Sequence, residues 1–194
     1  MILYIHKKRG RVKRLVYLNL SEIQDELEQA NIYLGDKVQL GDKVHIGIES
    51  QIFRNVVLQD TASIGRRVVL HAGVRVGSGA YIKDESVIRE GSTIKQGATV
   101  FDNCVLGKGV TIGKDVRIPK FSVISDYVDL STSFFRQGSR DLVVYLGAEQ
   151  LIIGCIQQSV SWWLSNYNTV GMSNGYTEEQ IAEYYGYMVE ANNF

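Results

Sequence analysis

The stretch from Leu34 to Val123 decides the fold. It divides into fifteen consecutive groups of six residues, LGDKVQ LGDKVH IGIESQ IFRNVV LQDTAS IGRRVV LHAGVR VGSGAY IKDESV IREGST IKQGAT VFDNCV LGKGVT IGKDVR IPKFSV. The first residue of every group is Leu, Ile or Val, and the fifth is Val, Ala, Ser or Cys. The fourth is Gly, Asn or Asp in eight groups, as expected where a chain turns with positive φ. This unbroken frame predicts a repeat architecture in which residues one and five face inward and residue six faces outward.

The repeat resembles the hexapeptide-repeat family, the fold of bacterial hexapeptide acyltransferases, over residues 34–125. The resemblance implies an all-β solenoid, a left-handed parallel β-helix with three flat sides and one group of six on each side. Eighteen residues then make one coil, so the chain has about five coils, and residues eighteen apart stack on one another. The resemblance also implies homotrimers with parallel solenoid axes.

The regions on either side of the repeat have a different pattern. Before it, a hairpin with a basic tip and a short helix capped by Ser21 are predicted; after it, a second hairpin and two helices, the last with Thr177 and Gln180 as a capping box. These flanks are expected to protect the exposed edges of the end coils. The predicted organisation is an N-terminal cap at 1–33, the β-helix at 34–125, a polar linker at 126–140 and a C-terminal α+β module rich in aromatic residues at 141–194.

Composition narrows the classes of function and location. Lys and Arg balance Asp and Glu at 21 each, so no overall field points to nucleic acid or to an acidic membrane. No run of about 18 apolar residues and no signal peptide is present, so neither a membrane partner nor export is expected. Cys104 and Cys155 are too few for a disulfide framework, and both are predicted to be packing residues. The expected location is the cytoplasm, or the host cytoplasm or virion if the source is a virus.

One outward side of the predicted prism is apolar. Stacking by eighteen places Val69, Val87, Val105 and Val123 in one outward column, which we call the valine ladder. A soluble monomer does not usually expose such a surface. The valine ladder, with Phe53 beside it, is therefore the predicted trimer interface, where one face of a subunit meets a different face of its neighbour.

His71 lies in the next column of the same side, between Phe53 and Arg89. Since the resemblance implies that transferases of this family place their sites at subunit junctions, His71 is the candidate general base. Arg75 and Arg89 would then hold an anionic substrate or the phosphates of the cofactor, acetyl-CoA or another acyl-CoA. The alternative is a structural histidine, packed on Phe53 and hydrogen-bonded across subunits.

The position of His71 in its group argues against catalysis. In many family acyltransferases the catalytic histidine is the third residue of its group, whereas here His71 is the second, His45 is the sixth, and no third residue is a histidine. The solenoid also lacks the extruded loop that covers the acceptor in many of these enzymes. A zinc site of three histidines is not expected either, so no metal is predicted.

Two further segments could bind a partner. Six basic residues between Lys7 and Arg14 could attract an anionic ligand, or could simply be a solvated hairpin tip. The aromatic residues of the C-terminal module could recognise a protein partner, or could form a small core. They are Trp162, Trp163, Tyr167, Tyr176, Tyr184, Tyr185 and Tyr187.

Two hypotheses of function remain open. The first is a non-catalytic homotrimer, either a structural or attachment component, of a viral particle for example, or a binder of small ligands at subunit junctions. The second is a CoA-dependent acyltransferase with active sites between subunits. The fold by itself does not decide between them, because one solenoid hosts unrelated activities.

Overall fold

Tight corners turn the chain once in every group of six residues. The computed structural model describes residues 1–6, 11–17, 19–147 and 149–193. Within them, all fifteen fourth residues have φ between +53° and +73°. Seven of the fifteen are neither Gly, Asn nor Asp, Lys37, Arg67 and Phe121 among them, and for such residues the left-handed region costs roughly 1–2 kcal/mol. Stacking of the coils therefore holds these corners against local preference.

Parallel pairing between residues eighteen apart builds three flat faces, which confirms the predicted left-handed parallel β-helix of about five coils. Face one consists of β3 (Tyr33–Leu34), β6 (Gln51–Ile52), β9 (Val69–Leu70), β12 (Val87–Ile88), β15 (Val105–Leu106) and β18 (Val123–Ile124). Face two consists of β4 (Gln39–Leu40), β7 (Val57–Leu58), β10 (Arg75–Val76), β13 (Thr93–Ile94), β16 (Thr111–Ile112) and β19 (Asp129–Leu130). Face three contains β5 (Val44–Gly47), β8 (Ser63–Ile64), β11 (Tyr81–Ile82), β14 (Thr99–Val100) and β17 (Arg117–Ile118).

The interior of the prism holds the first and fifth residues of the groups, as predicted. Nearly all of these aliphatic side chains are buried, many of them completely. Three buried serines occupy fifth positions and link successive coils: the Ser92 hydroxyl donates to the carbonyl of Gly107 (2.8 Å) and accepts from the N–H of Val110 (3.1 Å). Ser50 and Ser86 likewise donate to a carbonyl and accept from an N–H of the coil that follows each of them. Each serine thereby satisfies buried backbone groups to which an apolar side chain could not hydrogen-bond.

The N-terminal hairpin extends face three. β1 (Ile2–His6) pairs antiparallel with β2 (Val12–Val16) and parallel with β5, so it covers the edge of the first coil as expected. A 3-10 helix (Leu20–Ile23) and α1 (Gln24–Gln29) follow. The predicted cap is wrong: Asn19, not Ser21, is the N-cap, because its side-chain oxygen accepts from the N–H of Ser21.

The repeat continues further than the predicted boundary at residue 125. β19 pairs with β16 in register, so the segment expected to be a linker, 126–140, contains the last rung of face two. The corner before it is Tyr127, with φ of +61°. The same segment also contains β20 (Phe134–Gln137), which belongs to the second unit of the chain.

The chain divides into two compact units, Met1–Ser131 and Thr132–Phe194, and we call the second the C-terminal unit. Its antiparallel sheet runs β20, β21 (Leu142–Gly147), β22 (Gln150–Ile153), β23 (Ile156–Ser159). The helices α2 (Val160–Ser173) and α3 (Glu178–Asn192) follow, and α3 begins with the predicted Thr177 and Gln180 capping box. Trp163 and Tyr184 are buried in its core, while Tyr185 is 41% exposed.

Candidate functional site

The valine ladder lies where the repeat frame predicts. Strand pairing places Val69 beside Val87, Val87 beside Val105, and Val105 beside Val123. The first three side chains are partly exposed and Val123 is 78% exposed, whereas the leucines and isoleucines next to them face the interior. Face one therefore presents a continuous apolar column on the outside of the prism.

His71 follows β9 directly and is part of an aromatic stack at the edge of face one. Its ring lies parallel to that of Phe53, with centroids 5.5 Å apart and planes 15° apart. The ring of Tyr33 meets Phe53 edge-on at 5.7 Å. Both contacts arise because Tyr33, Phe53 and His71 occupy successive coils near the same corner. The predicted packing of His71 on Phe53 is thus observed within one chain.

A shallow depression of about 360 Å³ opens around this stack. Besides the three rings, its lining contains Asp36, Arg54, Ala72 and Glu90. The Glu90 carboxylate is 3.3 Å from the Lys108 ammonium, whose hydrogen bond and charge, with a smaller contribution from His71, lower the pKa of Glu90. The depression therefore combines aromatic surface with charges of both signs.

Neither of the two arginines predicted to bind a ligand lines this depression. Arg75 lies on face two, exposed, and Arg89 lies one coil beyond His71, also exposed; the lining contains Arg54 instead of either. A signal for the actual set is present in the sequence. The third residues of every third group are Asp36, Arg54, Ala72, Glu90 and Lys108, a column of mostly charged residues beside His71.

The chemistry available to His71 is limited in the single chain. A general base needs its imidazole oriented by a hydrogen bond, usually to a carboxylate or a carbonyl. Among the residues that the structure describes, no hydrogen bond involves the His71 side chain; its bonds are made by the backbone, the N–H donating to the carbonyl of Ile88 at 2.9 Å and the carbonyl accepting from the N–H of Val74 at 3.4 Å. Stacking on Phe53, rather than a polar partner, sets the orientation of the ring.

A pair of histidines lies on face three, and the sequence alone did not predict it. His6 Nε2 and His45 Nδ1 are 2.7 Å apart, and the ring of Tyr4 stacks on His45 at 4.5 Å. Burial lowers the pKa of both imidazoles, and the proximity of His6 lowers that of His45 further. The pair depends on the parallel pairing of β1 with β5, which the repeat frame does not reveal.

Beside this pair lies a depression of about 280 Å³ that includes Arg66, Tyr81 and Asp84. Burial alone would raise the pKa of the Asp84 carboxyl, but hydrogen bonds from the Arg66 backbone N–H and guanidinium keep it below its ordinary value. Within the described ranges, no three or more His, Cys, Asp or Glu residues are grouped as a metal site would require. The two histidines are therefore a hydrogen-bonded pair rather than part of a recognisable metal centre.

The two cysteines have different environments. Cys104 is fully buried, and burial raises the pKa of its thiol, which is unfavourable for a nucleophile. Cys155 is a free, exposed thiol in the C-terminal unit, contrary to the packing role predicted for it. Of the predicted basic segment, Lys7–Gly10 falls outside the described residues, and Lys13 pairs with Glu26 at 3.2 Å.

One family model and several solved structures match parts of this chain. A family model described as the GMPPB C-terminal domain matches residues 49–142, just under half of the sequence. A search of curated protein sequences finds no match. No helix within the described residues has the length and apolar character needed to span a bilayer.

Several solved structures are similar at low identity. PerB from Caulobacter crescentus, in complex with CoA and GDP-perosamine, is 17% identical, with a TM-score of 0.44; the match covers 54% of this chain and 51% of PerB, so this chain spans about half of PerB. UDP-N-acetylglucosamine acyltransferases from Francisella novicida and Campylobacter jejuni are each 13% identical, with TM-scores of 0.28 and 0.30. The matches cover 78% of this chain in both cases, and 66% and 77% of the two enzymes. These likenesses do not assign an activity to the chain.

Proposed function

We propose that this protein is a homotrimer that assembles through face one and acts as a non-catalytic structural or ligand-binding β-helix. The proposal rests on the valine ladder. In a subunit interface this outward column of four stacked valines would be removed from water, which is favourable for apolar side chains. In cyclic assembly this column meets a different face of the neighbouring chain. The depression around His71 opens beside the ladder and would then be closed by that neighbour.

The role of His71 in this proposal is structural. Its ring continues the stack from Tyr33 through Phe53, and a partner subunit would cover its outer face. With aromatic surface and the charges of Asp36, Arg54 and Glu90 around it, the covered depression suits a small polar ligand with one flat side. Binding there requires no proton transfer.

A second candidate function is acyl transfer from acetyl-CoA or another acyl-CoA. What favours it is that His71 is the histidine of face one and borders a depression on the face proposed for assembly. In that reaction the imidazole takes the proton of an acceptor hydroxyl or amine, the acceptor attacks the thioester carbonyl, and the carbon–sulfur bond breaks. The departing CoA thiolate then takes up a proton. Arg54, Arg75 and Arg89 are the cations to test for binding of the cofactor phosphates.

Calorimetry and thermal melts with acetyl-CoA and with CoA distinguish the two candidates. A ligand at one hundred times its Kd stabilises a protein by about 2.7 kcal/mol, so even a weak site registers at high concentration. The proposal expects no saturable heat and no shift in Tm with either compound. Saturable binding that His71→Ala abolishes, while the mass of the assembly stays the same, would replace the proposal with acyl transfer.

The matched control for His71→Ala is Lys95→Ala, which removes an exposed side chain at the corner between faces two and three, away from the valine ladder. If His71→Ala weakens assembly and Lys95→Ala does not, the structural role of the histidine is supported. The exposed free thiol of Cys155 agrees with a reducing location, and we propose the cytoplasm, that of the host if the source is a virus.

A further inference from the structure

The C-terminal unit contains a partly open cavity that none of the functions above uses. Its volume is about 230 Å³, and every residue that lines it belongs to this unit. Trp163 and Tyr167 of α2 form one wall, and Ile181 and Met188 of α3 form another. The turn between β22 and β23, which contains Cys155, closes the sheet side. The cavity is thus a pocket between a helix pair and a sheet.

Most of the pocket wall is aromatic or aliphatic, and the polar atom of its buried tryptophan is already engaged. The indole N–H of Trp163 donates to the carbonyl of Leu151 at 3.1 Å, so it points away from an occupant. The rings of Tyr167 and Tyr185 lie 4.7 Å apart, which holds Tyr167 in place. An occupant of this part of the pocket would meet mainly aromatic and aliphatic side chains.

Polar groups converge at one end of the pocket. The Arg140 guanidinium lies over the ring of Tyr176, 4.5 Å from its centroid, and donates to the carbonyl of Gly175 at 2.9 Å. The Tyr176 hydroxyl donates to the Asp141 carboxylate, and burial together with this carboxylate raises the pKa of Tyr176. This end therefore presents a carboxylate that accepts and a guanidinium that donates, next to each other.

The Tyr184 hydroxyl fixes these two charged residues in place. It accepts from the backbone N–H groups of Arg140, at 3.1 Å, and of Asp141, and it donates to the carbonyl of Asp141 at 2.8 Å. Tyr184 is only 2% exposed, so α3 anchors the loop from its buried side. A preformed pocket with a few fixed polar groups is the usual form of a small-molecule site.

The volume limits the size of the occupant. A cavity of about 150 Å³ holds benzene, and sites for drug-sized ligands begin at about 300 Å³. The value here lies between these limits and fits one substituted ring or two fused rings. We propose that this pocket binds an aromatic group of one or two rings that carries a hydroxyl or ring N–H at its edge, with that edge donating to Asp141.

Cys155 provides a direct test in the unmodified protein. Its thiol is exposed and belongs to the pocket lining, while Cys104 is buried in the β-helix and serves as an internal reference. Alkylation by iodoacetamide is followed by peptide mass spectrometry with and without indole or p-cresol. We expect the rate at Cys155 to fall about tenfold at ten times the Kd of the probe, because it follows the unoccupied fraction. An unchanged rate at millimolar probe overturns the proposal.

Two matched pairs of probes test the chemistry of the occupant. 4-Methylcyclohexanol has the hydroxyl, the methyl group and nearly the size of p-cresol but no aromatic ring, and equal protection by both would overturn the requirement for a ring. 1-Methylindole lacks the donor of indole, and we expect it to bind about tenfold more weakly, as the loss of a hydrogen bond to a charged group implies. Equal affinity of indole and 1-methylindole would overturn the role assigned to Asp141.

Variants of Cys155, at the opening of the pocket, test whether binding occurs in this pocket. Cys155→Trp places a large side chain at the opening from an exposed position, and Cys155→Ser retains the original size. Calorimetry should show indole binding lost in the first variant and retained in the second. Equal binding by both would mean that indole binds elsewhere, and the proposal fails.

The same assay identifies the source of the ring. N-acetyltryptophanamide and a peptide with an internal tryptophan are compared with free indole. Tighter binding of the peptide would support a side chain of a partner protein as the natural occupant. Tighter binding of indole would support a free small molecule.

Discussion

Tyr184→Phe tests how the C-terminal unit holds its charged loop. The substitution keeps the buried ring and removes one hydroxyl, which bonds two N–H groups and one carbonyl of Arg140 and Asp141. A hydrogen bond contributes about 0.5–1.5 kcal/mol net, and this loop is partly exposed, so water replaces part of what is lost. The expected loss is therefore about 2 kcal/mol of the free energy of unfolding of this unit.

A thermal melt followed by near-ultraviolet circular dichroism measures this loss. For a domain of about 60–100 residues, 1 kcal/mol corresponds to about 4–8 °C, so the Tm of the C-terminal transition should fall by about 8–16 °C. The matched control is Tyr187→Phe, because the hydroxyl of Tyr187 makes one bond, to the Glu183 carboxylate at 3.0 Å. We expect this control to change stability by less than about 0.5 kcal/mol. Equal effects of the two substitutions would refute the anchoring role of Tyr184.

Three further predictions concern the β-helix. Folding lowers the pKa of His6 and His45. Below pH 6.5, the ordinary imidazole pKa being about 6.5, the unfolded chain therefore binds more protons than the folded chain. Tm should be independent of pH above about 6.5 and should fall as the pH decreases from there toward 5. The double variant His6→Gln, His45→Gln should flatten this profile, and an unchanged slope would count against the pair as its cause. Ser92→Ala should cost about 1–3 kcal/mol in urea melts, since the Gly107 carbonyl and the Val110 N–H lose their partner. Ser78→Ala, at an outward corner of the β-helix, is its control and should be nearly neutral. Phe53→Ala should move the proton resonances of the His71 ring by removing the stacked face, and unmoved resonances would contradict the stack.

The repeat frame predicts the strands, the inward residues and the corners because one six-residue rule governs all of them. The same rule extends one group further than expected, through ISDYVD at 124–129 and into Leu130, and the segment 126–140 therefore includes a rung of face two. The charged column beside His71 can also be predicted, by comparing the third residues of groups of six that lie eighteen residues apart. These features can be predicted from the sequence because residues eighteen apart in the chain stack on one another in the structure.

Other features depend on contacts that no local pattern encodes. The His6 and His45 pair requires β1 to add to the edge of face three, and the hairpin sequence alone does not specify which face it joins. The pocket of the C-terminal unit depends on Tyr184 reaching a loop more than forty residues earlier in the chain. Side-chain contacts at such separations follow from tertiary packing and not from the periodicity of either segment.

The mass of the assembly in solution tests the central claim most directly. Sedimentation equilibrium should give about 65 kDa, three times the chain mass of 21.8 kDa. Val87→Asp should reduce it toward 21.8 kDa, because an unpaired carboxylate buried at each interface costs several kcal/mol. Gln96→Glu adds a charge at an exposed corner between faces two and three, away from the valine ladder, and should leave the trimer intact. A wild-type mass of one chain at micromolar concentration, or a trimer that Val87→Asp leaves unchanged, would contradict assembly through the valine ladder.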